Sequence, residues 1–336
     1  MAIRLKDIAD DLGVSTVTVS KVLRGKSDIG EATRQRVLER MKELNYRPNM
    51  LARGLASGRT RTLGLVVPDL VHPFFAEFAK SLASVLRTND YALILASSEE
   101  TPEIEKQELK TLALRGVDAL LLASCRTGLR RQIQVTDGSV PCLLVDRNHP
   151  GAKLPYVGSD DVRAGEIATE HLIATGRKRI AHIGGQGTSP SIDRERGFVE
   201  TLKKNRHQLP ETYIVRNERT EEGGDTVGFR SMQQLLKLRN RPDAVFCYND
   251  LTAIGAIEAV LQAGLRVPED VAVIGCGNLR YAEYLRVPLS SIDQGTVELG
   301  RIAGEMALEL CEQPGSALRS VLLQPTLVAR ESTRRR

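Results

Sequence analysis

The first fifty residues alternate apolar and polar positions with the period of an α-helix. Residues 5–12 and 16–23 each carry an apolar stripe at spacings of three and four, which predicts two amphipathic helices. Gly13 suits a tight turn between them, and Ser15 is a good N-cap for the second helix. A third helix is predicted at 31–44. The expected core-facing residues of the three helices are Leu5, Ile8, Ala9, Leu12, Val19, Val22, Leu23, Val37, Leu38, Met41 and Leu44.

Two helices joined by a short turn form a helix-turn-helix arrangement, whose second helix enters the major groove of DNA. Val17 lies in the exposed arc of that helix, where a valine is explained if it packs against a thymine methyl group. Thr16 and Lys21 lie in the same arc and can reach base edges. The remaining hydroxyl residues of the segment are better suited to holding phosphates. They are Ser15, Thr18 and Ser20.

From residue 62 onward the pattern changes to short, continuous apolar runs, which are typical of strands buried on both faces of a parallel sheet. Helical patterns alternate with these runs, and the alternation starts again after Asp160. Two consecutive βαβ series predict an α/β fold with two doubly wound subdomains. The strands are predicted at 63–67, 92–96, 119–123, 142–145, 179–183, 212–216, 244–247 and 271–275. The helices are predicted at 74–87, 102–115, 129–136, 161–175, 191–204, 224–238 and 251–263.

Charge is distributed unevenly along the 336-residue chain. Residues 1–61 hold thirteen Lys and Arg against seven Asp and Glu, whereas the remainder holds 34 against 35. The basic excess therefore lies in the segment with the helix-turn-helix pattern, as binding to a polyanion requires. No run of eighteen apolar residues and no apolar N-terminal leader is present, so neither a membrane span nor export is expected. Five widely separated cysteines indicate buried thiols in a reducing, cytoplasmic compartment rather than disulfides or a metal site.

Several motifs near the N-terminus match those of the lactose-repressor family. They are Ile8-Ala9, the run 14–23, Tyr46-Arg47-Pro48-Asn49, and Ala52-Arg53 with Leu55. The chain resembles this family over nearly its whole length, and the headpiece pattern is specific. The resemblance implies a ligand-controlled transcription factor, a repressor, with an effector-binding domain of the periplasmic-binding-protein type. It also implies a homodimer on a palindromic operator, because dimers read two half-sites related by a two-fold axis.

The segment after the headpiece is the predicted hinge. Pro48 ends the preceding helix, and the roughly nine residues from 49 to 57 are too few to form a stable helix alone. In the family this segment folds on DNA and inserts a leucine into the minor groove, where an apolar wedge kinks the duplex. The matching residue is Leu55. The hinge residues that the resemblance assigns to DNA are Asn49, Ala52, Arg53 and Leu55.

The expected domain organisation follows from these patterns. A helix-turn-helix headpiece is expected at 1–47, the hinge at 48–60, and an effector-binding and dimerisation domain at 61–336. The resemblance adds three crossings between the subdomains, near residues 160, 291 and 324. Subdomain 1 is then expected at about 61–160 and 292–324, and subdomain 2 at about 161–291 and 325–336. The C-terminus lacks the leucine heptads of a tetramerising tail, so a dimer is expected.

Loops at the carboxyl ends of the predicted strands supply the candidate effector site, in the cleft between the subdomains. For any single loop residue, a helix cap or a solvated side chain is the simpler explanation. Several of them match family positions that contact effector, namely Phe74, Phe75, Asp146, Arg147, Arg194, Asn249, Asp250 and Gln294. The strand-end loops add His72, Arg126 and Asn278.

One position departs from the family pattern. Many relatives carry an aspartate where this chain has Gly277, and that aspartate commonly accepts from sugar hydroxyls or a purine. A cleft that loses a carboxylate while keeping Arg126, Arg147 and Arg194 matches an anion, which arginine can hold in a bidentate fork. The sequence therefore predicts a sugar acid as effector, or a sugar phosphate. The alternative is that these arginines are paired with nearby acids.

Signatures of an enzyme are weak. Gly184-Gly185-Gln186-Gly187 follows a strand and precedes a helix, but it lacks the full G-x-G-x-x-G spacing of a dinucleotide site. The sequence contains no G-x-S-x-G, H-E-x-x-H or Walker motif, and no cofactor or metal is expected. A sugar-binding transport protein and a sugar-processing enzyme of similar fold are the rival interpretations. The basic headpiece argues against the first, and the lack of a catalytic constellation in the sequence argues against the second.

Overall fold

The structure is a computed structural model that describes residues 3–23, 28–46, 59–126, 140–217, 223–313 and 320–334. The chain forms two compact units, Met1–Thr60 and Arg61–Arg336, each of which has its own core. The predicted hinge contacts and one predicted helix lie outside the described residues. They are Asn49, Ala52, Arg53, Leu55 and the helix at 129–136.

Three short helices form the first unit. They are α1 (Leu5–Leu12), α2 (Thr16–Leu23) and α3 (Glu31–Glu43). Ile8, Val19 and Val37, one from each helix, have no exposed surface and pack into one cluster. The apolar stripes that predict the helices are therefore the faces that build the core.

The turn between α1 and α2 has the predicted features. Gly13 adopts a φ of 62°, in the left-handed region that glycine enters without strain. The Ser15 side chain accepts a hydrogen bond from the Thr18 amide at 3.0 Å and so caps α2. The prediction of a core position is wrong for one residue, Leu38. Leu38 is 49 % exposed, because it lies one residue, or about 100°, around α3 from the core-facing Val37.

The second unit alternates strands and helices along the chain. Its elements in order are β1 (Thr62–Val67), α4 (Pro73–Thr88), β2 (Ala92–Ser97), α5 (Pro102–Leu114), β3 (Ala119–Leu122), β4 (Cys142–Val145), β5 (Tyr156–Ser159), α6 (Asp161–Ala174), β6 (Ile180–Ile183), α7 (Ser189–Lys204), β7 (Ile214–Val215), α8 (Gly224–Leu236), β8 (Ala244–Cys247), α9 (Asp250–Gln262), β9 (Ala272–Cys276), β10 (Ser290–Asp293), α10 (Thr296–Glu312), β11 (Val321–Leu323) and β12 (Thr326–Val328). Within the described residues, each predicted helix and strand is present, with small shifts at the ends.

These strands form two six-stranded sheets, so the prediction of two doubly wound subdomains is confirmed. The first sheet has the order β2-β1-β3-β4-β5-β11 and is parallel throughout. The second has the order β7-β6-β8-β9-β10-β12 and is parallel except for the pair β10–β12. Separate apolar clusters cover the faces of each sheet. In β1, Leu65 packs into one cluster and Val66 into another, as in strands buried on both faces.

The chain passes between the two sheets three times. β5 belongs to the first sheet, whereas the following helix, α6, packs with the second. After β10 the chain returns, because α10 packs against α4 and against β3, β4 and β5. Finally, β11 joins the first sheet and β12 the second. Neither sheet is therefore made from one continuous segment of the chain.

The sequence patterns missed four strands, β5, β10, β11 and β12. Each has only three or four residues with at most three consecutive apolar side chains, so no continuous apolar run marks it. β10 is also polar, and its buried Ser290 and Ser291 hydroxyls donate hydrogen bonds to the Arg330 carbonyl and the Asp250 carboxylate. Its burial depends on these partners rather than on apolar side chains, so no apolar run marks it.

Two glycines allow α6 and α7 to touch through their backbones. A Cβ atom at Gly165 would lie 2.2 Å from the Arg194 carbonyl oxygen, and one at Gly197 would lie 2.1 Å from the Val162 carbonyl oxygen. Both distances are far below van der Waals contact, so the close approach requires glycine on both helices. This approach brings Arg194 on α7 beside Asp161 at the start of α6.

Candidate functional site

α2 presents a polar surface opposite its buried face. Val19 and Val22 are buried, whereas Thr16 and Val17 are exposed, Val17 by 58 % of its surface. An exposed aliphatic residue between hydroxyl side chains offers both an apolar contact and hydrogen bonds. This is the combination with which a major-groove helix distinguishes bases.

The other DNA-contacting residues predicted on α2 already have partners within the first unit. The Ser15 hydroxyl lies 2.9 Å from the Thr18 hydroxyl as well as capping the helix. Lys21 Nζ lies 2.5 Å from Asp28 Oδ2, in a pair whose side chains are 38 % and 55 % exposed. Exposed pairs of this kind contribute little stability, so the lysine can exchange the carboxylate for a base or a phosphate.

The second candidate site is a cleft of about 1130 Å³ at the carboxyl ends of the strands of both sheets. We call the residues contributed by the first sheet and its helices the first wall, and those of the second sheet and its helices the second wall. Nine of the eleven predicted effector residues line this cleft, as expected for open parallel sheets. They are His72, Phe74, Phe75, Asp146, Arg147, Arg194, Asn249, Asp250 and Gln294.

Aromatic rings at the start of α4 form part of the first wall. Phe74 and Phe75 lie edge to face with their centroids 5.1 Å apart. His72 caps α4, since its Nδ1 accepts from the Phe74 amide at 3.3 Å, and its Nε2 lies 3.3 Å from Asn249 Nδ2 of the second wall. Burial lowers the pKa of His72 to about 4. The ring is therefore neutral at pH 7 and adds no charge to the cleft.

Asp146 follows β4 and adopts a φ of 60°, which is unusual for a residue with a side chain. Its carboxyl group has no hydrogen-bond partner among the described residues, although it lines the cleft. Burial, together with the nearby Asp161 carboxylate, raises the pKa of Asp146 to about 7. A carboxyl group without an internal partner is available to accept from ligand hydroxyls.

Arg147 is held by Glu100, which comes from the loop after β2. The two guanidinium nitrogens Nη2 and Nη1 lie 2.7 and 3.0 Å from the two carboxylate oxygens of Glu100. Nη1 also donates to the Ser124 carbonyl at 3.2 Å. The Arg147 side chain is 8 % exposed and that of Glu100 is 25 % exposed. The positive charge in the first wall is thus already paired within the protein.

Arg194 is paired in the same way in the second wall. Its Nε and Nη2 lie 2.8 and 2.7 Å from Asp161 Oδ1, and its Nη1 donates to the Tyr248 carbonyl at 2.7 Å. The guanidinium carbon lies 5.0 Å from the centroid of the Tyr248 ring. Side chains of the pair are only 4 % and 5 % exposed. All three nitrogens of Arg194 therefore have acceptors within the protein.

Asn249 and Asp250 both make hydrogen bonds that stabilise the fold. Asn249 Oδ1 accepts from the Thr252 amide at 2.9 Å and caps α9. The Asp250 carboxylate accepts from the Ser291 hydroxyl at 2.6 Å and from the Leu279 amide at 2.8 Å. Burial raises the pKa of Asp250 to about 6, although both hydrogen bonds favour its charged form. The helix cap expected as the simpler explanation is therefore present at Asn249, and both residues also line the cleft.

Two predicted effector residues do not line the cleft, and the prediction is corrected for them. Arg126 Nε lies 2.9 Å from Oε1 of the fully buried Glu105. Asn278 donates to Asp293 Oδ2 at 3.0 Å and accepts from Arg330 Nη2 at 2.8 Å. Arg126 is engaged by the buried Glu105 carboxylate, and Asn278 lies between Asp293 and Arg330. A position at the end of a strand does not reveal such partners in the sequence.

The structure adds three residues that sequence reasoning missed. Glu100 and Asp161 pair with the two arginines, and Tyr248 packs against Arg194. Glu100 follows β2 and Tyr248 follows β8, so the strand-end rule could have identified both. Asp161 follows β5, which the sequence patterns missed, so it had no comparable signal.

The described part of the chain contains neither a membrane-spanning helix nor a metal-binding cluster. None of its helices is long and apolar enough to cross a bilayer. Its His, Cys, Asp and Glu residues form no group suited to holding a metal ion. The five cysteines are all buried and free, which matches the thiol state predicted from the sequence.

Two family models match the chain. The model for bacterial regulatory proteins of the lacI family matches residues 4–49, and the model for a periplasmic binding protein-like domain matches residues 169–333. The chain is 34 % identical to the ribose operon repressor of Haemophilus influenzae over 329 residues, which cover 98 % of each protein. The predicted fold class, a helix-turn-helix unit followed by two parallel-sheet subdomains of periplasmic-binding-protein type, is confirmed.

Solved structures with the same fold extend over the full chain. A complex of the transcriptional regulator CelR with cellobiose has a TM-score of 0.73 at 29 % identity and covers 98 % of this chain and 99 % of its own. The lac repressor dimer bound to operator and the anti-inducer ONPF has a TM-score of 0.87 at 25 % identity, with 99 % of both chains covered. Both units of the chain are therefore included in these similarities.

Proposed function

The chain belongs to the lacI family of bacterial regulatory proteins, and from this premise we propose that it is a transcriptional repressor controlled by a small effector. It binds a near-palindromic operator through its first unit, as a homodimer, and binds the effector in the cleft of its second unit. Its target is genomic DNA, so it acts in the cytoplasm. The alternative functions are a sugar-binding protein or a sugar-processing enzyme of similar fold.

The exposed surface of α2 is the observation that carries this proposal. Val17 is 58 % exposed on a helix whose opposite face is fully used in the core. Leu38 is a similarly exposed aliphatic residue, so exposure alone marks no function; Val17 differs because it lies among hydroxyl side chains on the second helix of a helix-turn-helix unit. A DNA-reading helix has a use for such a residue, because the thymine methyl group is the apolar feature of the major groove.

The homodimer is proposed from the size of the first unit. A single small module buries too little surface for tight and specific binding, and dimers overcome this by reading two half-sites. The lac repressor, which is similar over nearly the full length, is a dimer in its operator complex.

We propose a neutral, polyhydroxylated effector in place of the sugar acid expected from the sequence. The sugar acid requires free arginines, but Arg147 and Arg194 are paired with Glu100 and Asp161. Carboxylates accept hydrogen bonds from hydroxyl groups and repel an anion. Ribose and cellobiose, which occur in the names of two relatives, are both neutral sugars. The acids along the cleft are Asp69, Glu99, Glu100, Asp146, Asp225 and Asp250.

The DNA part of the proposal is tested by a gel shift on the DNA upstream of the chain's own gene. Val17→Ala should cost on the order of 1–3 kcal/mol at one operator position and leave the others unchanged. Leu38→Ala is the matched control, since Leu38 is a similarly exposed aliphatic residue on α3. Equal weakening on specific and random DNA would contradict base reading by Val17. A wild-type chain that binds no DNA would favour the alternative functions.

The effector part is tested by calorimetry with matched pairs, D-ribose with D-ribonate and D-glucose with D-gluconate. We expect a neutral member to bind more tightly than its acid and to change the affinity for operator. Asp146→Asn should weaken that binding, because the free carboxyl group is replaced by an amide that offers fewer acceptor sites. Tighter binding of the acid would restore the prediction made from the sequence.

A further inference from the structure

We propose that Glu100 is a specificity-determining residue that excludes anionic ligands by occupying the guanidinium group of Arg147. The inference deepens the proposed function and rests on it for its biological meaning. Exclusion of an anion, however, can be measured with inorganic sulfate, without any knowledge of the effector.

The geometry of the pair is that of a carboxylate ligand bound to arginine. Two parallel contacts of 2.7 and 3.0 Å join the guanidinium nitrogens to the two oxygens of Glu100. A ligand carboxylate would need the same two nitrogens, because this fork is the preferred recognition mode of arginine. Glu100 is therefore an internal occupant of the position that a sugar acid would take.

The loop that carries Glu100 is held in an uncommon conformation. Glu99 and Glu100 have φ values of 47° and 50°, and consecutive left-handed residues that are not glycine are strained. Two backbone hydrogen bonds hold this turn, from the Glu100 amide to the Pro68 carbonyl and from the Thr101 amide to the Ser98 carbonyl. This strained conformation places the Glu100 carboxylate against Arg147.

Glu100 differs from Asp161, the acid that pairs with Arg194. Asp161 is 5 % exposed and lies at the start of a helix, whereas Glu100 is 25 % exposed and lies on the rim of the cleft. Each nitrogen of Arg194 has an acceptor, but Arg147 Nε is buried without one among the described residues. Loss of the Glu100 charge would therefore leave a buried cation facing the cleft, which a ligand anion can neutralise.

The test compares wild type with Glu100→Gln and with Glu103→Gln, whose side chain is exposed three residues away and outside the cleft. Thermal unfolding is followed as sulfate replaces chloride at constant ionic strength, which yields an apparent Kd. We expect Glu100→Gln to bind sulfate at least tenfold more tightly than either wild type or Glu103→Gln. The gain should vanish in Glu100→Gln combined with Arg147→Met.

Calorimetry with D-glucose and D-gluconate then connects the exclusion to the effector. Glu100→Gln should raise the ratio of gluconate to glucose affinity at least tenfold, and Glu103→Gln should leave it unchanged. Equal sulfate affinity in wild type and Glu100→Gln would overturn the proposal. If no sugar binds any variant while sulfate still discriminates, the proposed effector class is wrong but the exclusion stands.

A second variant, Glu100→Ser, covers the possibility of misfolding. Circular dichroism in the presence and absence of sulfate reports whether each variant folds. Folding that is restored by sulfate supports the proposal, because an anion then replaces the missing carboxylate. Failure of both variants to fold under either condition would assign a purely structural role to the pair and overturn the proposal.

Discussion

The two walls of the cleft each contain a buried arginine, but they hold it in different ways. In the second wall, Arg194 and Asp161 lie between two helices whose backbones touch through Gly165 and Gly197. In the first wall, Arg147 is held from a loop by a glutamate that borders the cleft. The Arg194–Asp161 pair is part of the framework of its subdomain. The Arg147–Glu100 pair lies where ligand and water can compete for the guanidinium group.

Removal of the two acids should separate these roles most strongly. Asp161→Ala leaves Arg194 buried and unpaired, so we expect a loss of about 3–5 kcal/mol in the free energy of unfolding. Glu100→Ala should cost at most about 2 kcal/mol, because water in the cleft can replace the carboxylate. Urea unfolding of both variants measures the difference. Equal losses in the free energy of unfolding would mean that the two pairs stabilise the fold to the same extent.

Substitution of the packing glycines should give the next largest effect. Gly197→Ala forces a Cβ to within 2.1 Å of the Val162 carbonyl oxygen, and the backbone cannot yield without moving α6, so we expect a loss of about 3 kcal/mol. Gly304→Ala in the first subdomain is the matched control. Its Cβ would lie 2.9 Å from the Val85 side chain, which can shift, and alanine has a higher helix propensity than glycine. We therefore expect a loss of only about 1 kcal/mol in the free energy of unfolding. Denaturant titrations that rank the two variants in the reverse order would contradict the distinction.

Acid should destabilise the second subdomain through His182, which no ligand can reach. Its ring packs against those of Phe198 and Phe246, its Nδ1 donates to the Phe246 carbonyl, and burial lowers its pKa to about 4. In the unfolded chain His182 binds a proton below about pH 6.5, whereas in the folded chain it binds one only below about pH 4. Stability is therefore lost as the pH falls through this window, by about 2 kcal/mol between pH 7.5 and 5.

The measurement for His182 is the difference in pH dependence between wild type and His182→Leu. Other groups titrate in the same range, and Asp146, with its raised pKa, acts in the opposite direction. Subtraction of the two unfolding curves removes these shared contributions. A His182→Leu variant with the same dependence on pH as wild type would show that the buried ring does not bind the proton differently in the two states.

The smallest effect is expected where the two walls touch. The Asn148 amide of the first wall donates to the Ser189 hydroxyl of the second at 2.7 Å. Ser189→Ala should cost about 1 kcal/mol or less in global stability, which is the usual net contribution of one hydrogen bond. Amide hydrogen exchange at Asn148 should accelerate while exchange in both sheets stays constant. Protection at Asn148 that survives the substitution would mean that the Ser189 hydroxyl is not what protects this amide.

Periodicity predicted the parts of the fold that are built from neighbouring residues. The stripes in residues 5–44 identified the core of the first unit, apart from Leu38, because each helix has one apolar face. The apolar runs identified the central strands of both sheets, which are buried on both faces. β10 was missed because its buried Ser290 and Ser291 are satisfied by hydrogen bonds to distant residues.

The charge of the cleft could not be predicted in the same way. Strand-end positions identified Arg147 and Arg194, but their acids lie 47 and 33 residues away along the chain. No local pattern states which carboxylate meets which guanidinium group. The sequence alone favoured a cationic site and a sugar acid, whereas the structure pairs both arginines with acids, which is the alternative that the sequence left open.

The three passages of the chain between the sheets restrict how this protein can exchange parts with its relatives. A single genetic crossover joins one continuous N-terminal stretch to one continuous C-terminal stretch. Here β11 and β12 follow all the other strands, and they belong to different sheets. Wherever the joint falls between β1 and β12, it mixes strands of two parents within at least one hydrophobic core. Exchange of one whole wall without mixing the core of the other would need three simultaneous joints, one at each passage, so the cleft is expected to diversify by single substitutions at its rim.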